Sequence, residues 1–79
     1  MQKLKQDLSI GENIRKIRLA SGLTQEQAVA QLQVLGCNIS RGTYAKIEAG
    51  LYNIRISELL SMAHIFHVTV DKFFENLSI

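Results

Sequence analysis

The sequence predicts an all-α fold, a compact bundle of five short helices, and three observations predict it. Five glycines and no proline in 79 residues leave few places where the backbone is forced to turn. Two long stretches are made of good helix formers. Apolar residues recur at three- and four-residue spacing between residues that cap helices and glycines that end them.

The elements follow in order. Ser9-Ile10-Gly11-Glu12 has the S-x-x-E form of a capping box, so helix 1 is expected over about 10 to 21, with Ile10, Ile14 and Ile17 on its inner side and Gly22 beyond its end. Residues 1–9 then form a flexible arm ahead of one domain over 10–79. Thr24-Gln25-Glu26-Gln27 is a second box, opening helix 2 over about 25 to 35, with Ala28, Val29, Leu32 and Leu35 on one side. After a break at Gly36-Cys37-Asn38, Ser40 caps helix 3 over about 41 to 49, closed by Gly50. Leu59, Leu60, Ala63 and Phe66 give helix 4 over about 57 to 66. Thr69 caps a fifth helix ending near Asn76, with Val70, Phe73, Phe74 and Leu77 as its apolar side.

Composition bounds the function. A chain this short buries only about 60% of its unfolded surface, which leaves little room for a catalytic cleft with its supporting shell. There is no nucleophile elbow and no glycine-rich phosphate loop, and the expectation is that the protein is not an enzyme. Nine Lys and Arg against seven Asp and Glu give a formal +2, too slight a balance to name a partner without knowing which face carries it. The lone Cys37 suits a reducing cytoplasm, and no segment approaches the roughly 20 apolar residues of a membrane span. His64, His67 and Asp71 stand at i, i+3, i+7, but Thr69 starts a new helix between them; neither metal nor cofactor is expected.

Helix 3 is the informative element. On a wheel of about 100° per residue, Thr43, Tyr44, Ile47 and Leu51 form the core stripe. Arg41, Gly42, Ala45, Lys46 and Ala49 fall on the opposite side, two cations on otherwise very small side chains, with no acid among them. That ridge is either an ordinary solvated face or a surface slim enough for a DNA major groove about 12 Å wide, where Arg and Lys are shaped to reach guanine O6 and N7. Glu48 points to the border of the core instead.

A two-helix unit joined by a turn, with the second helix presenting such a face, is a helix-turn-helix. Arg18-x3-Gly22-Leu23-Thr24-Gln25-Glu26, then Ile39-Ser40-Arg41-Gly42-Thr43-Tyr44-x-Lys46-Ile47-Glu48-x-Gly50, then Leu59-Leu60-x2-Ala63 and Val68-Thr69-Val70-Asp71-x-Phe73-Phe74, resemble the Xre/Cro phage-repressor-type helix-turn-helix family over about residues 10 to 75. Gln33 to Asn38 marks a long-turn variant. The resemblance implies a lambda-repressor-like DNA-binding domain, with Gln25 clamping a phosphate and Ser40, Arg41, Gly42 and Lys46 at base edges. It implies backbone contacts for Tyr52 and Asn53, which could equally sit in an ordinary solvent loop. Thr43 could contact phosphate or pack. It also implies a partly buried ion pair between Arg18 and Glu48.

The reading is a sequence-specific double-stranded DNA-binding transcriptional regulator, a repressor, bound as a homodimer to a near-palindromic operator. A single module makes too few contacts for useful specificity. The dimer surface is expected at Phe73, Phe74, Leu77 and Ile79, unless those residues fold back to close the core. The rival readings are a protein-interaction module on the same fold, an antitoxin or a phage or plasmid regulator acting through a partner protein, and a simple structural bundle.

Overall fold

A computed structural model describes the backbone of residues 3–76 and the side chains of residues 10–76. Its helices are α1 (Lys3–Ala20), α2 (Gln25–Val34), α3 (Arg41–Glu48) and α4 (Ile56–Phe66), followed by a 3-10 helix, Val70–Phe74. No strand occurs among the described residues. None of the described helices is long and apolar enough to cross a membrane.

Two expectations about the elements are corrected. The α-helix begins at Lys3, not at the Ser9 box, so the stretch expected as an arm is helical from Lys3 and Ser9 lies inside α1. Lys3 to Leu8 contains no glycine or proline, and a residue able to cap a helix does not interrupt one whose preceding turns also favour helix. The fifth helix is 3-10, leaving four α-helices. Thr69 makes no side-chain cap bond, and Glu75 already returns to extended backbone. With about three residues per turn, Val70 and Phe73 stack on one side; Val70 is half-buried there and Phe73 fully buried.

All four α-helices stop in the same way. Leu23, Cys37, Leu51 and Val68 each donate their backbone N–H back to the carbonyl five residues earlier, on Arg18, Leu32, Lys46 and Ala63. This bond needs the preceding residue in the left-handed region. Glycine supplies it three times; at the end of α4, His67 must adopt φ 57° despite its Cβ. Gly50 turns the chain so early that Leu51, expected on the core stripe, is 75% exposed.

The core gathers Ile14 of α1, Leu32 of α2, Tyr44 and Ile47 of α3, Met62 and Phe66 of α4, and Phe73. Two features bring α1 close to its neighbours. A Cβ on Gly11 would lie 2.6 Å from the Ile47 carbonyl oxygen and 2.7 Å from that of Glu48, so only glycine lets α1 cross the end of α3 at this spacing. Two residues on, the Asn13 amide donates to the carbonyls of Phe73 (2.9 Å) and Glu75 (2.8 Å) and fastens the terminal segment to α1.

Two substitutions test these constraints by denaturant unfolding. Gly11→Ala is expected to cost about 1–3 kcal/mol, because the obstruction is backbone and cannot rotate away; an unchanged midpoint would refute the close approach. His67→Gly is expected to stabilise by about 1 kcal/mol through relief of the left-handed strain, and a loss of stability would show that the imidazole has a compensating role.

Candidate nucleic-acid interface

The site is built from the starts of α2 and α3. Thr24 caps α2 reciprocally with Gln27: the Gln27 N–H donates to Thr24 Oγ1 at 3.1 Å and the Thr24 N–H to Gln27 Oε1 at 2.9 Å. The N–H groups of Gln25 and Glu26 are those that helix geometry leaves pointing out of this end. Ser40 caps α3 by accepting from the Thr43 N–H at 3.1 Å, and its hydroxyl donates to Thr43 Oγ1 at 3.1 Å. Thr43 is half-buried as a partner of that cap.

The long turn between the two helices is ordered by its own bonds. Gln33 Nε2 donates to the Ile39 carbonyl at 3.1 Å, and the Ile39 side chain is buried in the core. Cys37 is half-buried, and burial pushes its thiol up, away from a reactive thiolate.

Behind this surface lies a buried cluster on three helices. Arg18 Nε donates to Glu48 Oε2 at 2.7 Å and Nη2 to Oε1 at 3.1 Å, a two-pronged pair, while Nη1 donates to the Leu23 carbonyl at 2.8 Å. Both residues are buried. Gln25 Nε2 donates to Glu48 Oε1 at 3.1 Å, so the side chain proposed for phosphate is half-buried and anchored on this carboxylate. Burial alone would push the Glu48 carboxyl up; the hydrogen bonds from Arg18, the neighbouring Tyr44 hydroxyl, the Gln25 amide and the guanidinium charge hold it below the usual carboxylate range. The Tyr44 hydroxyl beside the pair is fully buried and has no hydrogen-bond partner among the described residues. Burial first, then the Glu48 carboxylate, raises its phenol.

With Glu48 turned inward, the exposed side of α3 carries Arg41, Gly42 and Lys46. Its surroundings are not free of acid, however: Glu26 at the start of α2 stands 3.9 Å from Arg41 Nη1. Sequence reasoning missed this pair because the first-turn position of Glu26 is explained locally by the α2 dipole, and no periodicity relates two helix starts. Tyr52 is half-buried and donates its hydroxyl to the buried Glu58 at 3.3 Å, whereas Asn53 beside it is exposed. Glu58 also accepts the Arg55 N–H at 2.8 Å, opening α4 without the Ser or Thr cap common there, since arginine has no acceptor to return.

Of the residues expected at a dimer contact, Phe73 is corrected: it is wholly enclosed by the core and has no surface to offer. Phe74 is 40% exposed. Leu77 and Ile79 lie outside the described residues. Among the described residues no three His, Cys, Asp or Glu side chains gather as metal ligands.

Two helices joined through a turn, the second showing two cations over small side chains and its acid buried behind, define a DNA-binding helix-turn-helix domain. The chain matches the helix-turn-helix family model over residues 14–73 and belongs to the Xre/Cro-type helix-turn-helix family, a family of DNA-binding regulators. No curated protein and no solved structure matches it.

Removing one member of the buried pair leaves the other charged and unsolvated, so Glu48→Ala is expected to cost about 3–5 kcal/mol of unfolding free energy. The carboxyl is held below its ordinary 4.5 in the folded state, so its stabilising contribution is complete above that pH and disappears as the pH falls toward the folded value. Unfolding measured between about pH 5 and pH 3 should therefore show a shallower loss of stability for Glu48→Gln than for the unaltered protein. Identical slopes would mean that Glu48 is not the group responsible.

Proposed function

We propose that this chain is a sequence-specific, double-stranded DNA-binding transcriptional regulator, a cytoplasmic repressor, that lays α3 in the major groove. The observation that carries the reading is the pairing of faces on α3: Arg41 and Lys46 project outward over small residues, while its one acid, Glu48, is buried against Arg18. In this reading Arg41 and Lys46 meet base edges, and Ser40, Gly42 and Thr43 let the start of α3 approach the groove. The start of α2 holds a phosphate through its backbone N–H groups and the remaining amide hydrogen of Gln25. Asn53 and Tyr52 meet the backbone on the other flank. The DNA-binding unit is residues 10–79, with 1–9 ahead of it.

Binding as a homodimer to a near-palindrome belongs to the same proposal. Phe74, with Leu77 and Ile79, remains one surface for it. A second is the outer side of α4 and the end of α2, where Ile56 and Leu60 are 77% and 54% exposed and Val34 and Leu35 are 86% and 45%. The exposed side of α4 carries no Lys, Arg, Asp or Glu, since its one acid, Glu58, is buried; the exposed Arg55 stands just ahead of Ile56, at the edge of this surface. Four aliphatic side chains fall short of the roughly 20–30 residues a side of a standard interface. That supports a dimer which closes on DNA, where adjacent half-sites raise the effective concentration.

The test is a selection from random-sequence duplexes followed by salt titration. A near-palindrome with half-sites about 34 Å apart is expected, with affinity falling steeply as salt rises. Arg41→Ala should cost about 1–3 kcal/mol on the preferred duplex and change which base is preferred, while Gln25→Ala should weaken all duplexes alike. The absence of any salt-sensitive duplex binding would reject this reading in favour of a module working through a partner protein.

A further inference from the structure

We propose that Glu26 is a specificity-determining residue of this interface, acting by competing with DNA phosphate for Arg41. The inference rests on the DNA-binding reading above. Arg41 and Glu26 stand at the starts of α3 and α2, their charged atoms 3.9 Å apart and their side chains 61% and 76% exposed. The pair is therefore bathed in water and at the outer limit of an ion pair, so it holds Arg41 loosely and releases it readily. The two other ion pairs of the described residues are of different kinds: Arg18 and Glu48 are buried, and Lys72 and Glu75 lie within the terminal segment.

An arginine on a groove-facing helix has two attractive partners in DNA. Phosphates are everywhere and carry no sequence information, whereas the O6 and N7 edge of guanine offers two acceptors in a fixed geometry. A carboxylate next to the guanidinium lowers the gain from any nearby phosphate twice over, by neutralising the cation and by repelling the anion. The guanine edge is a neutral acceptor, so it suffers much less of that repulsion. The Nη1 end of Arg41 faces Glu26, and the rest of the five-donor fork is left for a base. Glu26 thus weakens the sequence-independent mode more than the specific one, which is how a repulsive element raises selectivity. The competing explanation is local: an acid in the first turn favours the α2 dipole and has no bearing on DNA.

The full chain and its Glu26→Gln variant are compared for binding to the selected duplex and to an unrelated duplex, across a salt series. Glutamine keeps the shape and removes the charge. The variant is expected to bind the unrelated duplex more tightly, by up to about fivefold, the upper range of a single exposed ion pair. Its plot of log affinity against log salt should steepen on that duplex by about 0.9, one further phosphate neutralised. The ratio of specific to unrelated affinity should fall. In an Arg41→Ala background the same change should have little effect on that ratio. If both proteins bind with the same ratio and slope, or if Glu26→Gln acts as strongly without Arg41, Glu26 is only a helix-start residue and the proposal fails while the DNA-binding reading stands. If the unaltered chain binds neither duplex in a salt-sensitive way, both fail together.

Discussion

The Glu48 carboxylate belongs to α3 but accepts from Arg18 of α1 and Gln25 of α2, and the same Arg18 guanidinium also donates to the Leu23 carbonyl in the turn between those helices. A charge removed from water must find its partners inside the protein, and for this carboxylate they come from two other helices. The consequence reaches the surface. The start of α2 and the body of α3 are referred to one common point, so the end of one helix cannot shift against the cationic side of the other without exposing an unpaired buried charge. The pair contributes little net charge, yet it settles which charges the domain shows: it withdraws the one acid of α3 and leaves Arg41 and Lys46 outside.

A second buried acid does similar work at the other flank. Glu58 holds the Tyr52 hydroxyl and the Arg55 N–H, spanning the loop between α3 and α4. Ile54 is half-buried within that span, which leaves Asn53 and Arg55 as its polar residues turned to solvent. Gly11 permits the contact that sets α1 across the end of α3, and Asn13 fixes the terminal segment on the same helix. The candidate interface is thus framed by buried contacts although most of its own side chains are exposed.

Much of this was legible in the sequence wherever a local rule decides the outcome. The Thr24 and Ser40 caps and the glycine stops fixed the ends of α2 and α3 closely, because capping bonds form between residues three apart whatever the rest of the chain does. Local rules failed where they permit a feature without requiring it. Ser9 could start a helix, but nothing before it prevented the helix from starting earlier. Thr69 could cap an α-helix, but the short terminal segment satisfies its packing with a tighter turn that stacks Val70 and Phe73. Leu51 fitted the α3 wheel only as long as α3 continued, and the turn at Gly50 removed it. The facing of Arg18 and Glu48 was indicated by the helical phase of Glu48 and by family resemblance. The third partner, Gln25, and the contact of Glu26 with Arg41 were not, since a relation between two helix starts depends on a crossing geometry that no spacing encodes.

The formal +2 therefore understates how the charge is organised. A surface that relied on total charge would bind any duplex, because phosphate attraction is indifferent to sequence. Here the cations presented by α3 are few, mounted over glycine and alanine, and one of them has an acid for a neighbour. On the proposed reading, weak general attraction lowers the affinity for DNA, and it also lowers the background against which a correct base contact is measured. In the proposed regulator, suppressing the wrong mode adds discrimination without adding contacts to the right one, and a second copy on an adjacent half-site would restore the affinity.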